Sequence, residues 1–297
     1  MRRGTALLVL LGALAASSIP FLFAITAWPE VVTPSYLIAR GLRLYDDIKF
    51  PHTPLLTLST ALFGRVLGFS ASFLRADVAI VLAATAALVV AGVRPSRRRS
   101  ARAALVGFLL GVPLLVFLVS YTEGPALWYE HAIAPVLLAA TLALEAFERR
   151  GRARFLVASG LLLGTAVLVK QTSAWAALAA IVWLAVRSRR RSSRGAILLS
   201  ASIAAPFLAF ALLWAALFRT VAHLFWTFIV PVFHPHAREI GVLPDAAALH
   251  ESLVLLFPVA AFFLLRRALP SARLFRSPAP WITLGGFGTA WPRFGLL

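Results

Sequence analysis

The chain has 297 residues, of which 61% are hydrophobic and 13% charged, and a mean hydropathy of +0.88. That is more apolar surface than a soluble core of this length buries, so the composition excludes an ordinary soluble domain and points to an integral membrane protein. The formal net charge of +18 raises nucleic acid as a partner, but its distribution excludes it: the arginines gather at Arg2 and Arg3, Arg94 to Arg102, Arg149 to Arg154, Arg187 to Arg194 and Arg266 to Arg276, each cluster just past an apolar run. That is the positive-inside pattern of cytoplasmic loops, with no separate basic domain to carry nucleic acid.

The apolar runs are long, rich in Leu, Ala and Val, and suit helices of about 20 residues across a hydrocarbon core of about 30 Å. The expected fold class is therefore an all-α polytopic membrane protein. The absence of cysteine excludes disulfides and thiolate metal sites.

In chain order, residues 5–27 form helix one, entering from the cytoplasm behind Arg2 and Arg3. Residues 28–69 form a large first outer loop. Inside it, Thr33-Pro34 reads as a helix start and Gly41 as its stop; Thr53-Pro54 and Gly68 repeat the device. The second of these short helices spans roughly 21 Å, too short to cross, and is expected to lie along the outer interface. Residues 70–93 return to the cytoplasm, with Arg75 and Asp77 near the outer start as an expected local ion pair.

Residues 103–120 go out and 128–147 come back. The run 155–186 would be about 48 Å long as one helix and would leave the next arginine cluster on the wrong side, so it must be a hairpin turning at Lys170-Gln171-Thr172-Ser173. Residues 196–217 go out and 246–265 return. A last segment begins near Trp281 and is expected to be incomplete at Leu297. The count is about eight complete spans in a single transmembrane domain covering the whole chain.

This topology sorts the polar groups. Glu30, Asp46, Asp47, Glu123, Glu130, Glu239, Asp245 and Glu251 fall in outer loops or at outer helix ends, as do both lysines, Lys49 and Lys170. The cytoplasmic loops are short and basic, with no room for a nucleotide-binding domain or a phosphate-binding loop of the Walker type. Chemistry is expected on the outer face, foremost in the run from Leu44 to Leu55. The bare residues leave open that its acids are solvated loop charges or partners of Arg40 and Lys49. Tyr121, Trp128 and Tyr129 read as interfacial aromatics. Glu130 either faces a cavity or pairs locally with His131. His234-Pro235-His236 lacks the helical spacing of a preformed metal site, so no metal is expected.

Several of these stretches resemble a known family. Trp28-Pro29-Glu30, Leu44-Tyr45-x-Asp47, Phe50-x-His52-x-Pro54-Leu55-Leu56 and Phe63-Gly64-x-Val66-x-Gly68 resemble the first outer loop of the GT-C superfamily of membrane glycosyltransferases, in particular the bacterial set similar to protein mannosyltransferases and aminoarabinose transferases. The segment from Gly160 through Gly164 to Lys170-Gln171 is similar to a hairpin of that set, and Trp291-Pro292-Arg293-Phe294-Gly295 to a later motif that further helices usually follow. The resemblance runs from about Ala6 to the end and implies a chain truncated at its C-terminus.

It also implies an inverting glycosyltransferase of the bacterial inner membrane. The donor would be a polyprenyl-phosphate sugar, the acceptor a lipid, glycan or protein hydroxyl on the outer face, with membrane lipids around it and no cofactor. A carboxylate is needed to accept the acceptor's proton, and cations to hold the departing phosphate. Where the family usually carries an Asp-Glu pair, this chain reads Pro29-Glu30. Glu30, Asp47 and Asp46 are thus the expected catalytic acids, Lys170 and Arg238 the phosphate cations, and Tyr45, His52, Glu130 and Gln171 the cavity residues. The competing class is a transporter or flippase, against which stand the lack of a repeat between the two halves and of a midplane acid in a broken helix. An inactive fragment is a third reading.

Overall fold

The protein is described from a computed structural model that places residues 3–22, 26–27, 29–44, 47–48, 53–92, 126–127, 129–170, 173–187, 193–218, 278 and 281–282. Among these, the architecture is helical. In chain order the helices are α1 (Arg3–Leu22), α2 (Pro29–Ala39), α3 (Leu55–Leu67), α4 (Ala71–Gly92), α5 (Tyr129–Arg150), α6 (Ala153–Val169), α7 (Ala174–Arg187) and α8 (Ser193–Phe218). A short parallel pair joins β1 (Thr26–Ala27) to β2 (Ala126–Leu127). Among the described residues, two helices are long and apolar enough to cross a membrane, through Ala71–Leu88 and Arg194–Leu213; Val9–Leu22, Leu55–Leu67, Ala153–Val169 and Ala174–Val186 are apolar but shorter. The expected segments 103–120 and 246–265 lie outside the described residues.

The outer side chains of these helices are apolar. Leu7, Leu10, Leu14 and Leu22 on α1 and Leu208, Leu212 and Leu213 on α8 are all more than half exposed, a surface that suits hydrocarbon rather than water.

The chain divides into two compact units, one of residues 1–49 and 54–138, the other of 50–53 and 139–297. In the first, α1 packs along α4 and α2 along α3. The buried face of α1 carries Gly12, Ala16, Ile19 and Pro20 at helical spacing, so small residues allow the close approach. Helix α1 ends five residues before the expected limit, because Thr26 and Ala27 are taken into the ladder with Ala126 and Leu127.

Helix α2 also departs from expectation. It starts at Pro29 and carries Pro34 inside, so the earlier of the two prolines supplies the preset first-turn φ. Pro34 then lacks the N–H that would bond the Glu30 carbonyl. Its end is as expected: Gly41 has φ +102°, Leu42 N–H donates to the Leu37 carbonyl at 3.1 Å and Gly41 N–H to that of Ile38 at 2.9 Å. That is a Schellman stop, which needs a left-handed residue at this position. Helix α3 likewise ends at Gly68, φ +78°, but its cap is Pro54, and the buried Thr53 hydroxyl makes no capping bond. Ser70 Oγ accepts from Phe73 N–H at 3.1 Å and caps α4.

An aromatic cluster binds the turn between α3 and α4 to α2. The Phe69 ring meets Tyr36 and Phe73 edge-on, both at 5.5 Å between centroids. A Cβ at Gly64 would occupy the space of the Phe69 ring, which accounts for Gly64 within Phe63-Gly64-x-Val66-x-Gly68.

In the second unit, α6 and α7 form the expected hairpin with its break at Lys170 to Ser173. Helix α6 packs tightly on α8. Added Cβ atoms at Gly160 and Gly164 would collide with Ser202 and with the Ile203 carbonyl, so these glycines, four residues apart, let the two backbones touch. The arginine cluster at 149–154 occupies a tight turn at Gly151, φ +65°, where the Arg150 and Arg154 guanidinium groups lie 5.3 and 5.0 Å from the Phe155 ring centre.

Candidate functional site

The polar groups of the first unit collect around the first outer loop. Glu30 is exposed in the first turn of α2. Glu130 is the second residue of α5, as Glu30 is of α2. The two helices start from neighbouring points: β1 and β2 pair in parallel, Thr26 opposite Ala126 and Ala27 opposite Leu127, and paired strands lie about 4.8 Å apart. Each strand is followed by the same run, Trp28-x-Glu30 and Trp128-x-Glu130. The repeated Trp-x-Glu after a short apolar step is the sequence signal that joins Glu30 and Glu130.

The acidic turn is closed on itself. Asp47 Oδ2 accepts the Arg43 N–H at 2.7 Å, and the Arg43 carbonyl accepts from the N–H groups of Asp47 at 3.0 Å and Ile48 at 3.2 Å. Leu44, buried at the base of this turn, pairs with Ile48 in a single bridge. Asp47 itself is exposed, and as arranged its carboxylate orders the turn. Tyr45, Asp46, Lys49 and His52 lie outside the described residues.

Two hydrogen bonds carry this loop onto the helices. The buried Ser35 hydroxyl lies 3.0 Å from the Thr57 carbonyl and 2.6 Å from that of Val31, tying α2 to α3. Thr60 Oγ1 lies 3.3 Å from Asp77 Oδ2, tying α3 to α4. Asp77 therefore does not form the expected pair with Arg75. Residues two apart point to different sides of a helix, and Asp77 turns to Thr60 while the buried Arg75 Nε has no hydrogen-bond partner among the described residues.

Lys170 lies in the second unit, at the break of the hairpin. It caps the C-terminal end of α6 with extended backbone, its N–H bonded to the Ala166 carbonyl at 2.9 Å. Its side chain is buried, 8% exposed, and engaged by its surroundings, rather than held free at a hairpin tip. Gln171, Arg238 and the histidines of 234–236 lie outside the described residues. Among the described residues no group of three or more His, Cys, Asp or Glu could hold a metal.

Residues 51–214 match the family model of dolichyl-phosphate-mannose-protein mannosyltransferases, more than half of the chain. The chain belongs to that family. No curated protein and no solved structure matches it. The matched region takes in α3, α4, Glu130 and Lys170, while Glu30 and Asp47 precede it. Membership in this family makes the class of activity glycosyl transfer, with a lipid-linked sugar donor and an acceptor in general terms, as the resemblance in the loop and hairpin motifs implied.

Proposed function

We propose that the protein is an inverting glycosyltransferase of the bacterial inner membrane, moving a sugar from a polyprenyl-phosphate donor to an acceptor hydroxyl on its outer face. The full chain forms one transmembrane domain with about eight crossings, as the arginine distribution requires. The observation that carries this reading is the parallel pairing of Thr26–Ala27 with Ala126–Leu127, from which two helices set out with a glutamate at the second position of each.

Glu30 is the general base. It is exposed, it lies where the sequence resemblance expects the catalytic acid, and a carboxylate there suffices to take the acceptor's proton as its oxygen attacks the sugar's C1. The C1–O bond to the phosphate breaks in the same step, and the polyprenyl phosphate leaves with the electron pair. Glu130 orients the sugar or the acceptor from the adjacent helix start. Asp47 keeps the turn closed, Asp46, Tyr45 and His52 contribute to the same loop, and Lys170, Gln171 and Arg238 serve the donor.

The test is sugar transfer in proteoliposomes, with labelled polyprenyl-phosphate sugars and a membrane extract as acceptor. Glu30→Gln is expected to lower turnover by about two to four orders of magnitude with folding intact, the range of a lost general base. Glu130→Gln is expected to lower it less and to raise the donor or acceptor KM. Transfer unaffected by Glu30→Gln refutes the assignment of the base. Donor lipid moved across the bilayer without transfer favours the flippase class instead.

A further inference from the structure

Arg75 is the fifth residue of α4, and an arginine within a candidate membrane span is costly unless something compensates its charge. Counting along the helix, it shares a stripe with Val78, Ala79, Leu82 and Ala86, all of them buried. Its Nε is sealed from solvent and has no hydrogen-bond partner among the described residues. The acid nearest in sequence, Asp77, lies about 200° around the helix and is bonded to Thr60. Arg75 as a whole is half-buried, but its sealed Nε–H is a donor without an acceptor on a group that is always charged, and an anion is the partner that suits it.

The position narrows which anion. Helix α4 contacts β2, and β2 is laddered to β1, the strand from which α2 and Glu30 set out. The Nε–H and one terminal N–H of an arginine form a fork that matches two oxygens of a phosphate. We propose that Arg75 holds the phosphate of the lipid-linked sugar donor, in the same unit as Glu30 and Glu130. This rests on the transferase reading above and adds to it the cation that holds the leaving group.

The experiment measures binding of a polyprenyl phosphate, without sugar or acceptor, to the full chain in phosphatidylcholine nanodiscs. Polyprenol and phosphatidylglycerol are the competitors, and the variants are Arg75→Gln, Arg75→Lys and, as a control on the exposed face of α3, Arg65→Gln. Arg75→Gln is expected to weaken binding about tenfold or more, the cost of removing one partner of a buried charged pair. Arg75→Lys keeps the charge and loses the fork; it is expected to weaken binding several-fold and carries the test if the glutamine variant does not fold. Arg65→Gln is expected to bind as the unaltered chain does, and polyprenol not to compete.

Equal binding by both Arg75 variants overturns the proposal. So does displacement by phosphatidylglycerol at equal mole fraction, which makes the occupant a bulk lipid headgroup. Because the assay needs no transfer, Arg75-dependent phosphate binding in a chain that transfers nothing would remove the enzyme reading and leave this one. Active transfer with Arg75-independent binding would do the reverse.

Discussion

Thr60 on α3 and Asp77 on α4 are joined by a hydrogen bond of 3.3 Å between hydroxyl and carboxylate. Together with the bond from Ser35 to the Thr57 carbonyl, it makes a continuous path from the Glu30-bearing helix to a candidate membrane span. Rigid support of this kind keeps a catalytic acid within reach of its substrate.

Asp77→Ala is expected to lower stability by about 1–3 kcal/mol, the cost of leaving a buried hydroxyl without its partner. Thr60→Val should do the same, and the double variant should cost less than the sum of the two, as for residues sharing one bond. Thermal unfolding in detergent measures all three. Additive losses would mean that the bond does not couple α3 to α4.

Ser35→Ala removes the hydroxyl from both the Val31 and Thr57 carbonyls. Loss of the tie between α2 and α3 should lower stability by about 1 kcal/mol and speed amide exchange in α2 more than in α4. Uniform exchange across both helices would count against α2 being held through this bond.

Asp47 separates positioning from proton transfer. Asp47→Asn keeps an oxygen that can accept the Arg43 N–H, so the turn stays closed and transfer is expected to fall by less than about tenfold. Asp47→Ala opens the turn, and protease cleavage between Leu44 and Leu55 should quicken. A collapse of activity in the asparagine variant with an uncleaved loop would make Asp47 the base.

Gly164→Ala and Gly160→Ala should each destabilise the second unit by about 1–3 kcal/mol, the range of overpacking. At Gly164 the new methyl would meet the Ile203 carbonyl and lie 3.0 Å from Pro206 Cγ; at Gly160 it would meet Ser202 and lie 3.0 Å from the Leu199 carbonyl. Neither the Ile203 carbonyl nor the Ser202 Cβ can swing aside without moving the α8 backbone, so both variants are expected to lose stability. Unfolding temperatures of the single variants measure both losses.

The helix ends were the most legible part of the fold. Gly41 and Gly68 both adopt positive φ as stops, and the polar break at Lys170 to Ser173 separates two apolar helices. Such signals act within one turn of chain and need no knowledge of what packs against it. The helix starts were less legible: two prolines, Pro29 and Pro34, each suit a first turn, and the earlier one prevails.

The candidate site was legible by residue type and hardly by geometry. Glu30 and Asp47 stood out because acids are few in so apolar a chain. Arg75 and Asp77 looked like a pair because they are close in sequence, yet helical geometry turns them apart. Lys170 stands in the polar break between two apolar helices, yet its side chain is buried.

Composition and arginine spacing alone therefore determined the class, a helical membrane protein, because transfer to lipid depends on summed hydropathy and charge. Tertiary structure alone decided which polar groups meet. The pairing of Ala27 with Leu127 brings together helix starts a hundred residues apart, and Thr60 takes the carboxylate that Arg75 lacks. Contacts of that range depend on how whole helices pack, which no local pattern encodes.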